Sequence, residues 1–197
     1  MSTSRTANPV PYSTEPRTPA VPSGVLGMLI FVATETMLFA GLISAFTVYR
    51  ASSVVWPPPD QPRLPFEETA VNTIALLASG VLLYLACRTL RAGDHTKGHK
   101  FLLASTALGA FFVFFQGAEW VALISDGLTL TSSNLGGFFF LIIGLHALHA
   151  IAAVGVLFHA WLSLRKGFVS LSLLAAAEVF WYFVVGVWPV IYLRVYL

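Results

Sequence analysis

Gly27-Met28-Leu29-Ile30-Phe31-Val32-Ala33-Thr34-Glu35-Thr36-Met37-Leu38-Phe39-Ala40 is the stretch whose reading decides the fold. It is an apolar run of helical character with one carboxylate in its middle. A carboxylate at mid-bilayer costs about 2.5 to 3.5 kcal/mol on insertion scales, so Glu35 needs a partner, a proton or a water-filled pocket. Its neighbours one turn away, Phe31, Val32, Leu38 and Phe39, offer none of these. Two readings stand: a neutral Glu hydrogen-bonded inside a helix bundle, or a proton-active or lipid-facing acid.

Working outward, composition sets the class. Apolar residues make up 57% of the chain and charged residues 10%, with a mean hydropathy of +0.79. A soluble domain of this length could not cover that balance with polar surface, so an all-α integral membrane protein is expected. The net charge of +2 is too small, and the charges too scattered among loops, to suggest nucleic acid. Cys87 is the lone cysteine, which excludes an internal disulfide and any two-thiolate metal site. Five histidines, two of them beside charged loop residues, are too few for a multi-histidine redox-metal core. No metal and no catalytic group is expected on this chain.

Residues 1–22 carry Pro9, Pro11, Pro16, Pro19 and Pro22 among Ser, Thr and isolated charges. Such a tail neither nucleates a helix nor collapses, and reads as disordered or extended along a neighbour. It does not resemble a signal peptide, so the first helix is expected to target the membrane itself. Residues 23–197 form the membrane domain. Five apolar runs, at about 24–50, 69–90, 99–124, 135–163 and 171–195, each approach or exceed the roughly 20 residues that cross a core about 30 Å thick.

Lys and Arg set the orientation. The tail, second loop and fourth loop hold Arg5, Arg17, Arg88, Arg91, Lys97, Lys100, Arg165 and Lys166, against Arg50, Arg63 and Arg194 on the other side. That asymmetry puts the N-terminus in the cytoplasm and the C-terminus outside, in the periplasm of a bacterium. Arg88, Arg91, Lys100 and Trp181 are the candidates for lipid contact, since a basic inner side attracts anionic headgroups.

Other polar groups sit inside the runs. Asn72 and Thr73 in the second can hydrogen-bond across to another helix. Gln116 and Glu119 in the third stand one turn apart and can form a joint contact, with Glu119 and Trp120 near the outer interface, where an acid is cheap. The fourth run has Gly137, Gly144 and Gly155 as small surfaces for close helix approach, and His146 and His149 on one face near the bilayer centre. With no Glu-x-x-His beside them the two histidines are expected to bond to other intramembrane polar groups, Glu35 first. The fifth run holds Glu178 in its inner half, and Pro189 is expected to kink its outer end, with Tyr192 and Tyr196 at the interface.

Five short patterns in order resemble subunit III of the haem-copper oxidases, the cytochrome c oxidase family. They are Met28…Phe31-x-x-x-Glu35; Trp56-Pro57-Pro58 leading to Asn72-Thr73…Leu77-x-Ser79; Gln116-x-x-Glu119-Trp120; Gly144-x-His146-x-x-His149; and Trp181-x-Phe183-Val184…Trp188. The resemblance implies a helical bundle with a V-shaped, phospholipid-holding cleft, in a short form lacking two of the family's seven helices. It implies an accessory, non-redox role in oxygen reduction coupled to proton pumping: packing on subunit I, beside subunit II, with haem and copper on those partners. Glu35 then matches the family's carbodiimide-reactive glutamate. The bacterial inner membrane is the expected location.

The chain also departs from the pattern. Relatives read Trp-His-Phe-Val-Asp where this chain has Trp181-Tyr182-Phe183-Val184-Val185, and their acid near the start of this helix falls at Ala175. Glu178, one turn later on about the same face, is expected to take its place. A subunit of a quinol oxidase or of a nitric oxide reductase-like complex is the alternative within the family. Outside it, an independent proton channel or transporter could use Glu35, His146, His149 and Glu178 as a relay, although the five runs show no inverted repeat.

Overall fold

A computed structural model describes residues 22–56, 66–167 and 170–196. The proline-rich tail, most of the Trp56-Pro57-Pro58 loop and Leu197 lie outside the described residues. Five helices form: α1 (Ser23–Ser52), α2 (Phe66–Arg91), α3 (His95–Ser125), α4 (Asn134–Arg165) and α5 (Leu171–Ile191), the last followed by a π-helical turn at Tyr192–Tyr196. All five are long and apolar enough to cross a membrane. The chain is a five-helix membrane bundle.

Glycine and cap residues punctuate it. Gly93, Gly127 and Gly167 follow α2, α3 and α4 with φ of 83°, 91° and 77°, the left-handed geometry that ends a helix at little steric cost for glycine. Asp94, Ser133 and Ser170 then cap the next helices, their side chains accepting from the backbone N–H of Lys97, Gly136 and Leu173. Outside the spans, the Lys97 backbone N–H and its ammonium hold the Asp94 carboxyl below the usual carboxylate range. Helices α2 and α3 begin three to four residues before the apolar runs do, because polar first turns, with Glu67 and Glu68 in α2 and the Asp94 cap in α3, project beyond the hydrocarbon.

Contacts between helices give the topology. Thr69 meets Glu119, Ser79 meets Ser105 and Gly98 lies against Leu90; a rise along α2 matches a fall along α3, so the pair is antiparallel. The same inverse register relates α4 to α1, through Phe39–His146 and Phe46–Phe138, and α5 to α2, through Ser79–Trp181 and Thr73–Trp188. Two pairs run parallel in contact: α1 with α5, through Phe31–Phe180 and Phe39–Phe183, and α3 with α5, through Gly109–Trp181 and Phe112–Trp188. The result is an up-and-down bundle with α5 at its centre and α1 at its edge. We call the end where α2 turns into α3 the basic end.

Two expectations shift. A Cβ added at Gly155 would meet nothing within 4 Å, and one at Gly137 only the Leu130 carbonyl of the preceding loop. Between helices the tight approaches are at Gly109, where an added Cβ would stand 2.5 Å from Trp181, at Gly98 and, more mildly, at Gly80 against Val185 and Gly144 against Trp120, while Gly136 lies hard against the Thr129 carbonyl of its own loop. α5 runs on through Pro189 to Ile191, and the change of hydrogen-bond register falls after it.

Candidate functional site

Glu35 and His149 meet in the middle of the bundle, at the edge between α1 and α4, with His149 Nε2 3.1 Å from Glu35 Oε2. No donor is aligned on that oxygen. The distance defines the contact, because a carboxyl turns about its last bond at little energy. The other ring nitrogen decides the chemistry. His149 Nδ1 lies 2.7 Å from the Leu145 carbonyl oxygen, which has no hydrogen to give, so Nδ1 must carry one. Nε2 and Glu35 Oε2 would then face each other as two lone pairs unless one further proton lies between them. The 3.1 Å separation leaves room for one proton between the two atoms.

Four phenyl rings enclose His149, those of Phe31, Phe39, Phe180 and Phe183, with centroids 5.7 to 6.2 Å away. They exclude water on the bundle side. Glu35 keeps 18% of its side-chain surface open at the edge. The arrangement can hold and exchange a proton at the membrane-facing side of α1. His146, expected beside it, turns the other way: it is buried among Phe39, Phe112 and Trp188, with Nε2 unpartnered.

A second polar group closes on itself at the end opposite the basic one. Glu119 accepts from Thr69 Oγ1 at 3.0 Å and from Gln116 Nε2 at 2.7 Å, and Gln116 Nε2 also donates to the Tyr196 hydroxyl at 3.1 Å. Tyr196 O–H reaches Thr69 in turn. The joint Gln116–Glu119 contact is thus present, but the acid is not in cheap interfacial water: Glu119 is only 8% exposed, and Tyr196 9%. Trp120 sits half-buried beside Gly144. Asn72 Nδ2 donates to the Phe112 carbonyl at 3.2 Å, and Thr73 accepts from Trp188 Nε1 at 2.8 Å, both across helices as expected.

Glu178 lies on the α2 side of α5, away from the Glu35–His149 pair. Arg91 Nη2 is 2.5 Å from its Oε2, and the Cys87 thiol and Tyr182 hydroxyl reach the same carboxylate. The four groups of the imagined relay are therefore not brought together; only Glu35 and His149 touch. Trp181 is fully buried, its indole N–H on Ser79 Oγ at 3.2 Å, at a position no lipid reaches. Arg88, Arg91 and Lys100 are exposed at the basic end. Among the described residues, no three of His, Cys, Asp and Glu gather closely enough to hold a metal ion. Thr69, Tyr196 and the Leu145 carbonyl were not legible as site residues, since hydroxyls and backbone groups are too common to single out. Their one sequence signal is the short turn after Arg91, which folds α2 on α3 and sets Thr69 opposite Glu119.

Residues 12–197 match the model of the family described as cytochrome c oxidase subunit III. The chain belongs to the cytochrome c oxidase subunit III family. It is 29% identical over 177 residues to cytochrome c oxidase subunit 3 of a Synechocystis strain, covering 88% of this chain and 75% of the relative. The rat protein of that name is 34% identical over 194 residues, covering 91% of this chain and 71% of the relative. A third, from Thermostichus vulcanus, is 28% identical over 177 residues, with 88% and 86% covered. This subunit III family member is a multi-pass membrane protein with other oxidase subunits as partners.

Proposed function

We propose that the chain is the accessory, non-redox subunit III of an aerobic terminal oxidase that takes electrons from cytochrome c, reduces oxygen and pumps protons. The observation that carries this reading is the family match over residues 12–197. Haem and copper reside on partner subunits, with subunit I the direct neighbour and subunit II beyond it. This chain stabilises subunit I, binds phospholipid in the cleft that the resemblance implies, and sustains proton uptake during turnover. The bacterial inner membrane holds the complex, with the basic end in the cytoplasm.

The Glu35–His149 pair supports the proton part of the reading. It can exchange a proton at a membrane-facing edge, close to where a neighbouring subunit or lipid would lie. Gentle purification followed by a visible spectrum tests the assignment: haem bands from co-purifying partners are expected, with a colourless subunit once dissociated. A pigment or tightly held metal on this polypeptide alone would overturn it. Glu35→Gln is expected to leave assembly and the initial rate of oxygen reduction nearly unchanged while activity decays faster during sustained turnover. Complete and immediate loss of turnover would contradict that role.

A further inference from the structure

The basic end carries a cavity of about 600 Å³ between the start of α3 and the end of α4. Its polar lining is His95, Thr96, His99, Lys100 and Arg165. No carboxylate among the described residues lines it. Asp94, the nearest acid along the chain, is taken up by Lys97 at 3.1 Å, and neither Lys100 nor Arg165 has a carboxylate partner among the described residues. Two full positive charges from different helices therefore face one space without an anion to balance them.

Trp161 stands behind that lining and holds two of its members. The His99 ring lies 5.1 Å from it and the Arg165 guanidinium carbon also lies 5.1 Å from its centroid, while Phe158 stacks on the indole at 5.7 Å. The stack fixes an imidazole and a guanidinium that would otherwise wander in solvent. His99, which lines the cavity, has its Nε2 buried without a partner, and such an atom asks for a polar group to meet it. The first turn of α3 adds the positive end of its helix dipole. A planar guanidinium fork beside a lysine, a hydroxyl and ring nitrogens suits a tetrahedral oxyanion better than a single carboxylate.

We propose that the cavity between the basic ends of α3 and α4 is a phosphate-binding site, taking one phosphate group of a phospholipid headgroup or of a soluble phosphate ester. Lys100 and Arg165 supply the charge, and Trp161 holds His99 and Arg165 in place. It sharpens the lipid-binding part of the reading above and rests on that reading for the complex in which it is tested. It also separates Lys100 from Arg88 and Arg91, which do not line this cavity.

The test uses the isolated oxidase complex in phosphatidylcholine nanodiscs, either doped with phosphatidylglycerol or titrated with inorganic phosphate. Native mass spectrometry counts retained phosphatidylglycerol, and tryptophan emission compared with Trp161→Phe reports occupancy of the site. Lys100→Gln with Arg165→Gln is expected to weaken retention about tenfold or more, the usual scale for losing charge-assisted contacts. Arg88→Gln with Arg91→Gln is expected to leave the Trp161 response unchanged, since neither residue lines the cavity. If millimolar inorganic phosphate alone moves the Trp161 signal, the natural ligand is soluble; if only phosphatidylglycerol does, it is a lipid. Equal retention in wild type and the Lys100/Arg165 variant, with no Trp161 response to either probe, overturns the site. Lipid loss confined to the Arg88/Arg91 variant overturns the site too, but leaves the broader lipid reading standing. Haem bands in the same sample report on the oxidase assignment independently.

Discussion

Two carboxylates within the spans, Glu35 and Glu119, have opposite surroundings. Glu119 lies in the seam of α2 and α3, inside a ring of Thr69, Gln116 and Tyr196 that uses its own hydroxyls and amide to satisfy it. Glu35 lies on α1, where only 6% of the most apolar window is buried against 44% for α2, and one histidine serves it. Each acid is tolerated in the membrane for a different reason. The ring ties α2, α3 and the C-terminal turn together, with only Gln116 Oε1 left over; the edge pair stays open on one side. A closed network marks a structural acid, and an open pair marks one available for chemistry.

The contrast can be broken from either side. Glu119→Ala removes the acceptor that Thr69 and Gln116 share and leaves buried donors unpaired. A loss of about 2 to 4 kcal/mol is expected, seen as a lower thermal transition of the complex and faster proteolysis of the chain's C-terminal end. An unchanged transition would show that the ring is not closed. Glu35→Ala is expected to lose much less, about 0.6 kcal/mol, the average for polar contacts between membrane helices, because its surroundings already reach lipid. A loss as large as that of Glu119→Ala would erase the distinction.

The third intramembrane acid falls between them. Arg91→Gln is expected to change stability by under about 1 kcal/mol, since the arginine is more than half exposed and its pair is screened. The combination Ala175→Glu with Glu178→Ala should restore whatever Glu178→Ala loses, if one helical turn is all that separates this acid from its counterpart in relatives. Failure of that rescue in thermal melts would refute the substitution. The smallest effect is at Asp94, whose carboxyl is held low by the Lys97 backbone N–H. A depressed folded-state value means that this cap contributes above the ordinary aspartate range and is lost as pH falls through the folded value. Hydrogen exchange in the first turn of α3 should quicken on that acidification, and no change there would show that the cap is idle.

Much of this was legible. The five helices lie within a few residues of their apolar runs, because the thickness of hydrocarbon sets a minimum length that few other constraints disturb. Asn72, Thr73, Gln116, Glu119 and the Glu35–His149 pair were identifiable as polar groups that must find partners inside lipid. Some partners were misjudged. His146 and His149 share a helix face by spacing, yet His149 points to α1 and His146 to Trp188 and Phe112, since three residues on a helix differ by enough rotation to face different neighbours. Glu119 looked interfacial because depth was counted along its own helix, while its burial comes from Thr69 and the C-terminal turn folding over it. Trp181 looked available to lipid for the same reason; the absence of a side chain at Gly109 lets it sink between α2 and α3.

The number of spans, their limits, the glycine and cap residues at each turn and the short α2–α3 hairpin follow from the chain alone, because helix length, capping and tight turns depend on neighbours in sequence. Which face of each helix meets which partner does not. Lipid is as apolar as leucine, so no solvent preference orients an apolar helix, and only the packing of particular side chains can choose. That packing put α5 at the centre and α1 at the edge, closed the ring around Glu119 and left Glu35 open with its histidine.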